Sequence, residues 1–145
     1  MRGIPKGKII GKLMLLIVFT YTHTGFAESL CKDFLKELGH KPAYVKYKSC
    51  KKESPNYQLH YTATYTLESK YAKQAEDFLV KNFKMARLKF RCCGWEAHPW
   101  GGARKKVGNL DYDYIIEMHS LETTEKNWNR IPRFYITVKL YPGTI

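Results

Sequence analysis

Between residues 57 and 67 the chain alternates without a break: Tyr57, Leu59, Tyr61, Ala63, Tyr65 and Leu67 are separated by Gln58, His60, Thr62, Thr64 and Thr66. A period of two is the signature of a β-strand, whose successive side chains point to opposite faces. One face of this strand is dry and the other wet. A sheet built from such strands needs a cover on its dry side only, which limits the folds open to the chain.

The flanking segments supply that cover. Leu30, Cys31, Phe34, Leu35 and Leu38 recur at helical spacing behind Ser29 as a cap, with Gly39 as the stop and Pro42 marking the exit. Residues 43–50 read as a strand, and Ser54-Pro55-Asn56 supplies turn chemistry that makes a hairpin with the alternating segment. A second helix, capped by Ser69 and running to about Phe83, carries a stripe of Tyr71, Ala75, Phe78, Leu79 and Phe83. Residues 87–93 return to strand, 94–110 read as a long Gly-rich loop, and 112–121 and 134–141 are two more strands joined by a polar connection ending at Pro132. The expected fold class is α+β: two helices on one face of a mainly antiparallel sheet of about five strands, in the order α-β-β-α-β-β-β.

At the N-terminus, Arg2, Lys6, Lys8 and Lys12 precede an apolar run from Leu13 to Phe19, and Gly25-Phe26-Ala27 follows with small residues at its ends. That order reads as a secretory signal peptide over residues 1–27, cut after Ala27. The apolar run is shorter than the ~20 residues a bilayer span needs. Leu30 stands where a bacterial lipoprotein signal needs a small residue, so the mature chain, residues 28–145, is expected to be a soluble single domain without a transmembrane anchor. Its home is periplasmic or extracellular. The first 27 residues hold four of the 25 Lys+Arg and none of the 13 Asp+Glu, leaving a balance of +8. Such a surface attracts anionic partners: nucleic acid, phospholipid headgroups, wall polymers or an acidic protein.

All four cysteines follow the signal, where disulfides form and last. Three pairings are open to them. Side-chain parity places Cys92 on the dry face with Leu88 and Phe90, and Cys93 on the wet face with Lys89 and Arg91. Cys31 lies on the apolar stripe of the first helix, and Cys50 shares the parity of Lys46 and Lys48. Like faces can meet, so the expected bridges are Cys31–Cys92 and Cys50–Cys93; the chief rival is a local Cys31–Cys50 link that leaves Cys92 and Cys93 adjacent. A long-range bridge stabilises a small domain by roughly 2–4 kcal/mol. A catalytic thiol needs a partner histidine, and only His98 lies near Cys92-Cys93. The cysteines therefore read as scaffolding.

Cys92-Cys93-Gly94-Trp95-Glu96, placed just after the helix ending Phe78-Leu79-Val80-Lys81-Asn82-Phe83, resembles a family of small exported bacterial domains of unknown function (the DUF4952 type). Cys31 and the Lys41-Pro42 step are similar too. The resemblance implies a bacterial, exported setting and brings no activity to transfer.

Two surfaces are candidates for function. The 94–110 segment holds Trp95, Glu96, His98, Trp100, Arg104, Lys105 and Lys106 with Gly101-Gly102 as a hinge, and Trp and Arg dominate binding hot spots. The opposing view is that Trp95 tucks over the sheet edge and the basic run is merely solvated. The second surface is the wet face, where parity gathers Lys46, Lys48, His60, Lys89, Arg91, Glu117, His119, Arg133 and Lys139, with Asp111 and Asp113 at one end. Aromatic interleaving by Tyr135 and Tyr141 is too sparse for a base-stacking platform, which disfavours nucleic acid. No metal-ligand spacing, cofactor motif, phosphate loop or nucleophile elbow is present in the sequence. The favoured reading is a non-enzymatic binding or inhibitor module that recognises an acidic protein or anionic envelope polymer through Trp95, Glu96, His98, Trp100, Arg104, Lys105, Lys106, Lys89 and Arg91. The alternative is a small metal-independent nuclease or phosphodiesterase using His60, Glu117 and His119 as its acid–base groups.

Overall fold

The alternating segment becomes the second strand of a seven-stranded antiparallel sheet, seen in a computed structural model that describes residues 30–39 and 41–143. The signal peptide, its cut after Ala27 and the Ser29 cap lie outside the described residues. The elements are α1 (Phe34–Glu37), β1 (Lys46–Glu53), β2 (His60–Glu68), α2 (Ala72–Phe83), β3 (Leu88–Arg91), β4 (Gly94–Ala97), β5 (Gly101–Val107), β6 (Leu110–His119) and β7 (Arg133–Pro142). Strands lie in the order β1-β2-β7-β6-β4-β3, and β5 pairs with the first part of β6. The fold is α+β, with one main helix and short helical turns against the sheet.

Three central strands repeat one pattern. Tyr61, Ala63, Tyr65 and Leu67 of β2, Tyr112, Tyr114, Ile116 and Met118 of β6, and Phe134, Ile136, Val138 and Leu140 of β7 are all buried. Strict antiparallel register brings these rows together, Ala63 opposite Val138 and Ile116 opposite Val138 on the other side. The dry face meets Ala75, Leu79 and Phe83 of α2 and Phe34 and Leu35 of α1 in one core. Tyr57 and Leu59, expected on that face, are exposed because β2 begins only at His60.

The structure corrects the expected elements in three places. The first helix is a single turn, capped by the Asp33 side chain rather than Ser29; Gly39, at φ +84, does end it. Ser69 does not cap α2 but sits in a 3-10 turn and donates its hydroxyl to the Ile131 carbonyl. The 94–110 segment is not a loop: it forms β4, β5 and the start of β6, which raises the strand count from about five to seven. β5 lacks a readable alternation because its dry-face positions are Gly101, Ala103 and Lys105. Gly101 is required there, since a Cβ would come within 3.0 Å of the Met85 side chain and the Phe83 carbonyl at the end of α2.

The buried stripe of α2 contains a carboxylate the periodicity did not single out. Glu76 is 3% exposed; its Oε1 accepts the Leu88 N–H at 2.7 Å, and its Oε2 accepts from Lys73 Nζ and Arg87 Nη1, both at 2.9 Å. Those bonds set where β3 starts against the helix. Asp77 joins the cluster, and Arg87 followed by Lys73 holds its carboxyl below the usual carboxylate range.

Two core tyrosines differ in how their hydroxyls are used. Tyr65 Oη accepts the Leu35 N–H at 3.0 Å, whereas Tyr114 Oη is buried without a partner among the described residues. A buried hydrogen bond is worth ~1 kcal/mol net, while an orphaned hydroxyl carries a desolvation cost. Tyr65→Phe is therefore expected to lose about 1 kcal/mol in urea unfolding, and Tyr114→Phe to be neutral or slightly stabilising. Burial, with the Glu37 carboxylate adding to it, pushes the Tyr114 phenol up to about 12. A folded-state value above the unfolded one keeps its stability contribution whole below about pH 10, and that contribution is lost as the pH climbs toward about 12. Tyr114→Phe should accordingly tolerate alkaline pH better than the parent in a circular-dichroism titration.

Candidate binding surface

A bulge in β1 decides the cysteine pairing. Tyr47 lies opposite Tyr65, but Ser49 lies opposite Thr64, so Lys48 is an extra residue and the parity of the strand inverts after it. Cys50 then faces Ala63 on the dry side and bridges Cys31, with Cα atoms 5.4 Å apart. Cys92 and Cys93 bridge each other across the two-residue turn between β3 and β4. The expected Cys31–Cys92 and Cys50–Cys93 bridges are thus replaced by the local rival, because parity cannot be carried across an unseen bulge. Both disulfides fit an oxidising compartment. No helix among the described residues is long and apolar enough to cross a membrane.

The wet face stays partly open, with Glu117, His119, Tyr135, Thr137 and Lys139 each partly exposed. Beside the β3–β4 turn it holds a cleft of about 460 Å³, whose lining includes Arg91, Trp95, Glu96, Trp100, Glu117 and His119. The structure therefore brings together four residues of the expected binding set with two of the alternative catalytic set. The lining also includes Cys93, expected on this face, Cys92, expected on the other, and Ser120 and Glu122, which the sequence assigns to no surface. Nothing in the local sequence of 120–122 marks it; only the return of the chain past Trp95 does.

The two loop tryptophans behave differently. Trp95 turns inward: its Nε1 donates to the Glu125 carbonyl at 3.1 Å, and its ring meets Phe90 and Trp128 edge-on. Trp100 stays about half exposed, with His98 edge-on against it and Lys139 Nζ 6.0 Å from its ring centre. Trp100 is the one candidate anchor of the cleft.

Most charges around this cleft are paired. Arg91 lies 3.6 Å from Glu96, and Lys139 lies 3.8 Å from Glu117. Lys89 stands opposite Glu96 in register. Arg104, Lys105 and Lys106 are not in the cleft: they lie on β5, where Arg104 Nε meets Asp113 at 2.7 Å, Lys105 Nζ reaches Glu37 at 3.3 Å, and Lys106 is opposite Asp111. With Glu96, Glu117 and Glu122 against Arg91, the cleft lining is more acidic than basic.

His60 and His119 are not assembled into a pair. His60 stacks on Tyr141 and His119 on Tyr135, six residues apart along β7, which is roughly 20 Å at the ~3.3 Å rise of a strand. Each ring is also held by structural bonds. His119 Nδ1 donates to the Ser120 carbonyl at 2.9 Å, and His60 Nδ1 donates to the Gln58 carbonyl at 3.3 Å. His60 Nε2 lies 3.3 Å from Glu53, whose carboxyl is held below the usual range, first by the Thr62 hydroxyl and then by His60. A single scissile phosphate cannot reach both histidines, so the geometry does not assemble the acid–base pair of the nuclease alternative.

A longer row of cations without ion pairs lies along β1. Lys46, Lys48, Lys51 and Lys52 are exposed along β1, an open edge of the sheet, and none has an ion-pair partner within 4.0 Å among the described residues. At one end of this edge, Lys46, Lys48 and Arg133 line a recess of about 200 Å³ with Tyr44, Thr66 and Glu68. Glu68 is already bound to Lys70 at 2.8 Å, which lowers its pKa. Among the described residues, no group of three or more His, Cys, Asp or Glu side chains could hold a metal ion.

Neither the curated proteins nor the solved structures hold a match to the chain. Residues 24–95, from before Cys31 through β3 to the Trp95 that closes over Phe90, match the family model of a domain of unknown function (DUF4952), and the chain carries a domain of that family.

Proposed function

We propose that the protein is an exported, non-enzymatic binding module that recognises an acidic partner through the lysine margin of β1 and the adjoining recess. The observation that carries this reading is the charge distribution. Arg91, Lys139, Arg104 and Lys105 each contact a carboxylate, while Lys46, Lys48, Lys51 and Lys52 face solvent together with Arg133. Lysines on an edge strand also prevent sheet-to-sheet pairing. A partner that neutralises the β1 lysines meets positive charge that no ion pair within 4.0 Å holds among the described residues, which favours association and fast encounter. The two disulfides support an exported setting.

Fluorescence anisotropy with a labelled poly-glutamate peptide tests this. The triple variant Lys46→Glu/Lys48→Glu/Arg133→Glu should weaken binding at least tenfold, with ~1.4 kcal/mol per decade. Trp100→Ala and Arg104→Ala should leave it intact. Loss of binding in either of those and not in the triple variant would move the interface to the cleft and refute the β1 assignment.

A further inference from the structure

Folding does not account for the residues at the β3–β4 tip. Two-residue hairpin turns favour Asn-Gly, Asp-Gly or Gly at positions of positive φ. Here Cys92 takes φ +44, a left-handed conformation that carries a steric cost for any residue with a Cβ. A bridge between adjacent residues closes no chain loop, so it supplies none of the unfolded-state restriction by which a disulfide such as Cys31–Cys50 stabilises. Both cysteines are exposed, whereas Cys31 and Cys50 are half-buried. The pair also lines the cleft beside Trp100 and Glu96, so a molecule seated there lies against both residues. A costly residue choice, no scaffold benefit, exposure and a cleft wall coincide at one dipeptide.

We infer that Cys92–Cys93 is a thiol-exchange site that cycles between disulfide and dithiol, with a low-molecular-weight thiol as its reductant. The thiolate attacks one exposed Sγ; the Sγ–Sγ bond breaks, and its electron pair leaves on the neighbouring sulfur, which takes up a proton. A second thiol attacks the mixed disulfide, releasing a small-molecule disulfide and the second cysteine thiol. The dipeptide gains two electrons and two protons, and two small thiols become one disulfide. The reverse sequence restores the ring. The tip is coupled to the cleft wall, since Cys93 accepts the Thr123 N–H at 2.7 Å and Trp95 donates its N–H to Ser120. Exchange at the dipeptide therefore acts on the segment that shapes the cleft.

The test uses full-length exported protein purified without reductant and exposed to increasing reduced glutathione. Differential alkylation and mass spectrometry then read which cysteines open. Cys92 and Cys93 should become labelled together at glutathione concentrations at least about tenfold below those that open Cys31 and Cys50. Cys93→Ser, exposed instead to glutathione disulfide, should accumulate a glutathione adduct on Cys92: its thiolate attacks the small disulfide, one glutathione leaves as the thiol, and no second cysteine remains to release the other. Opening of Cys31–Cys50 first, resistance of Cys92–Cys93 up to the concentration that opens both, or permanently free thiols at 92 and 93 would each overturn the proposal.

Discussion

Cys31→Ser/Cys50→Ser is expected to lose about 3 kcal/mol of stability, the value for a bridge that closes a loop of about 20 residues. The separation of the two cysteines is 19 residues, and the bridge ties the segment before α1 to the sheet edge at β1. For a domain of this size such a loss lowers the melting temperature by roughly 10 °C. Cys92→Ser/Cys93→Ser should change it little, because adjacent residues are already close in the unfolded chain. Paired thermal melts of the two double mutants, without reductant, decide the matter. Equal losses in both would contradict the local pairing and revive bridges across the sheet.

Glu76→Ala should cost about 2–3 kcal/mol, most of it from the Leu88 N–H, which stays buried with no acceptor. Lys73 and Arg87 contribute less to the loss, since both are largely exposed and return to water when the carboxylate is removed. Glu76→Gln keeps an oxygen for Leu88 and should lose about 1 kcal/mol. Urea unfolding gives the magnitudes, and hydrogen exchange at the Leu88 amide gives the cause. An unprotected Leu88 amide in the parent protein would show that the carboxylate does not hold β3 in place.

Glu76 also illustrates how much of the fold can be read along the chain. Its spacing with Ala72, Ala75 and Leu79 places it on the buried stripe of α2, yet a carboxylate there is legible only when the N–H of Leu88 is seen beside it. The candidate site shows the same division. Trp100 is readable as an exposed aromatic among glycines and a proline, and Trp95 as a ring with an alternative in the sheet. That Arg91, Glu96, Glu117 and His119 share one cleft follows from β4 lying against the far end of β6, a pairing made at Glu96 and His119. The basic run at 104–106 reads as a free recognition surface because Asp113, which holds Arg104, stands across a β5–β6 hairpin the sequence does not mark, and Glu37, which holds Lys105, comes from a distant element.

What the sequence by itself determined was local and periodic: the alternation of β2, β6 and β7, the helical stripe of α2, the turn at Ser54-Pro55-Asn56, and hence an α+β fold with one dry sheet face. Those features depend on side-chain spacing, which tertiary contacts reinforce. Only the tertiary structure decided the cysteine pairing, the existence of β5 and the order of the strands. A single extra residue at Lys48 inverts every side chain after it, and β5 forms because Gly101 lets it pass under Phe83 and Met85, not because its own residues favour a strand. Such outcomes are set by which backbones can approach one another, and that is a property of neighbours far away in the chain.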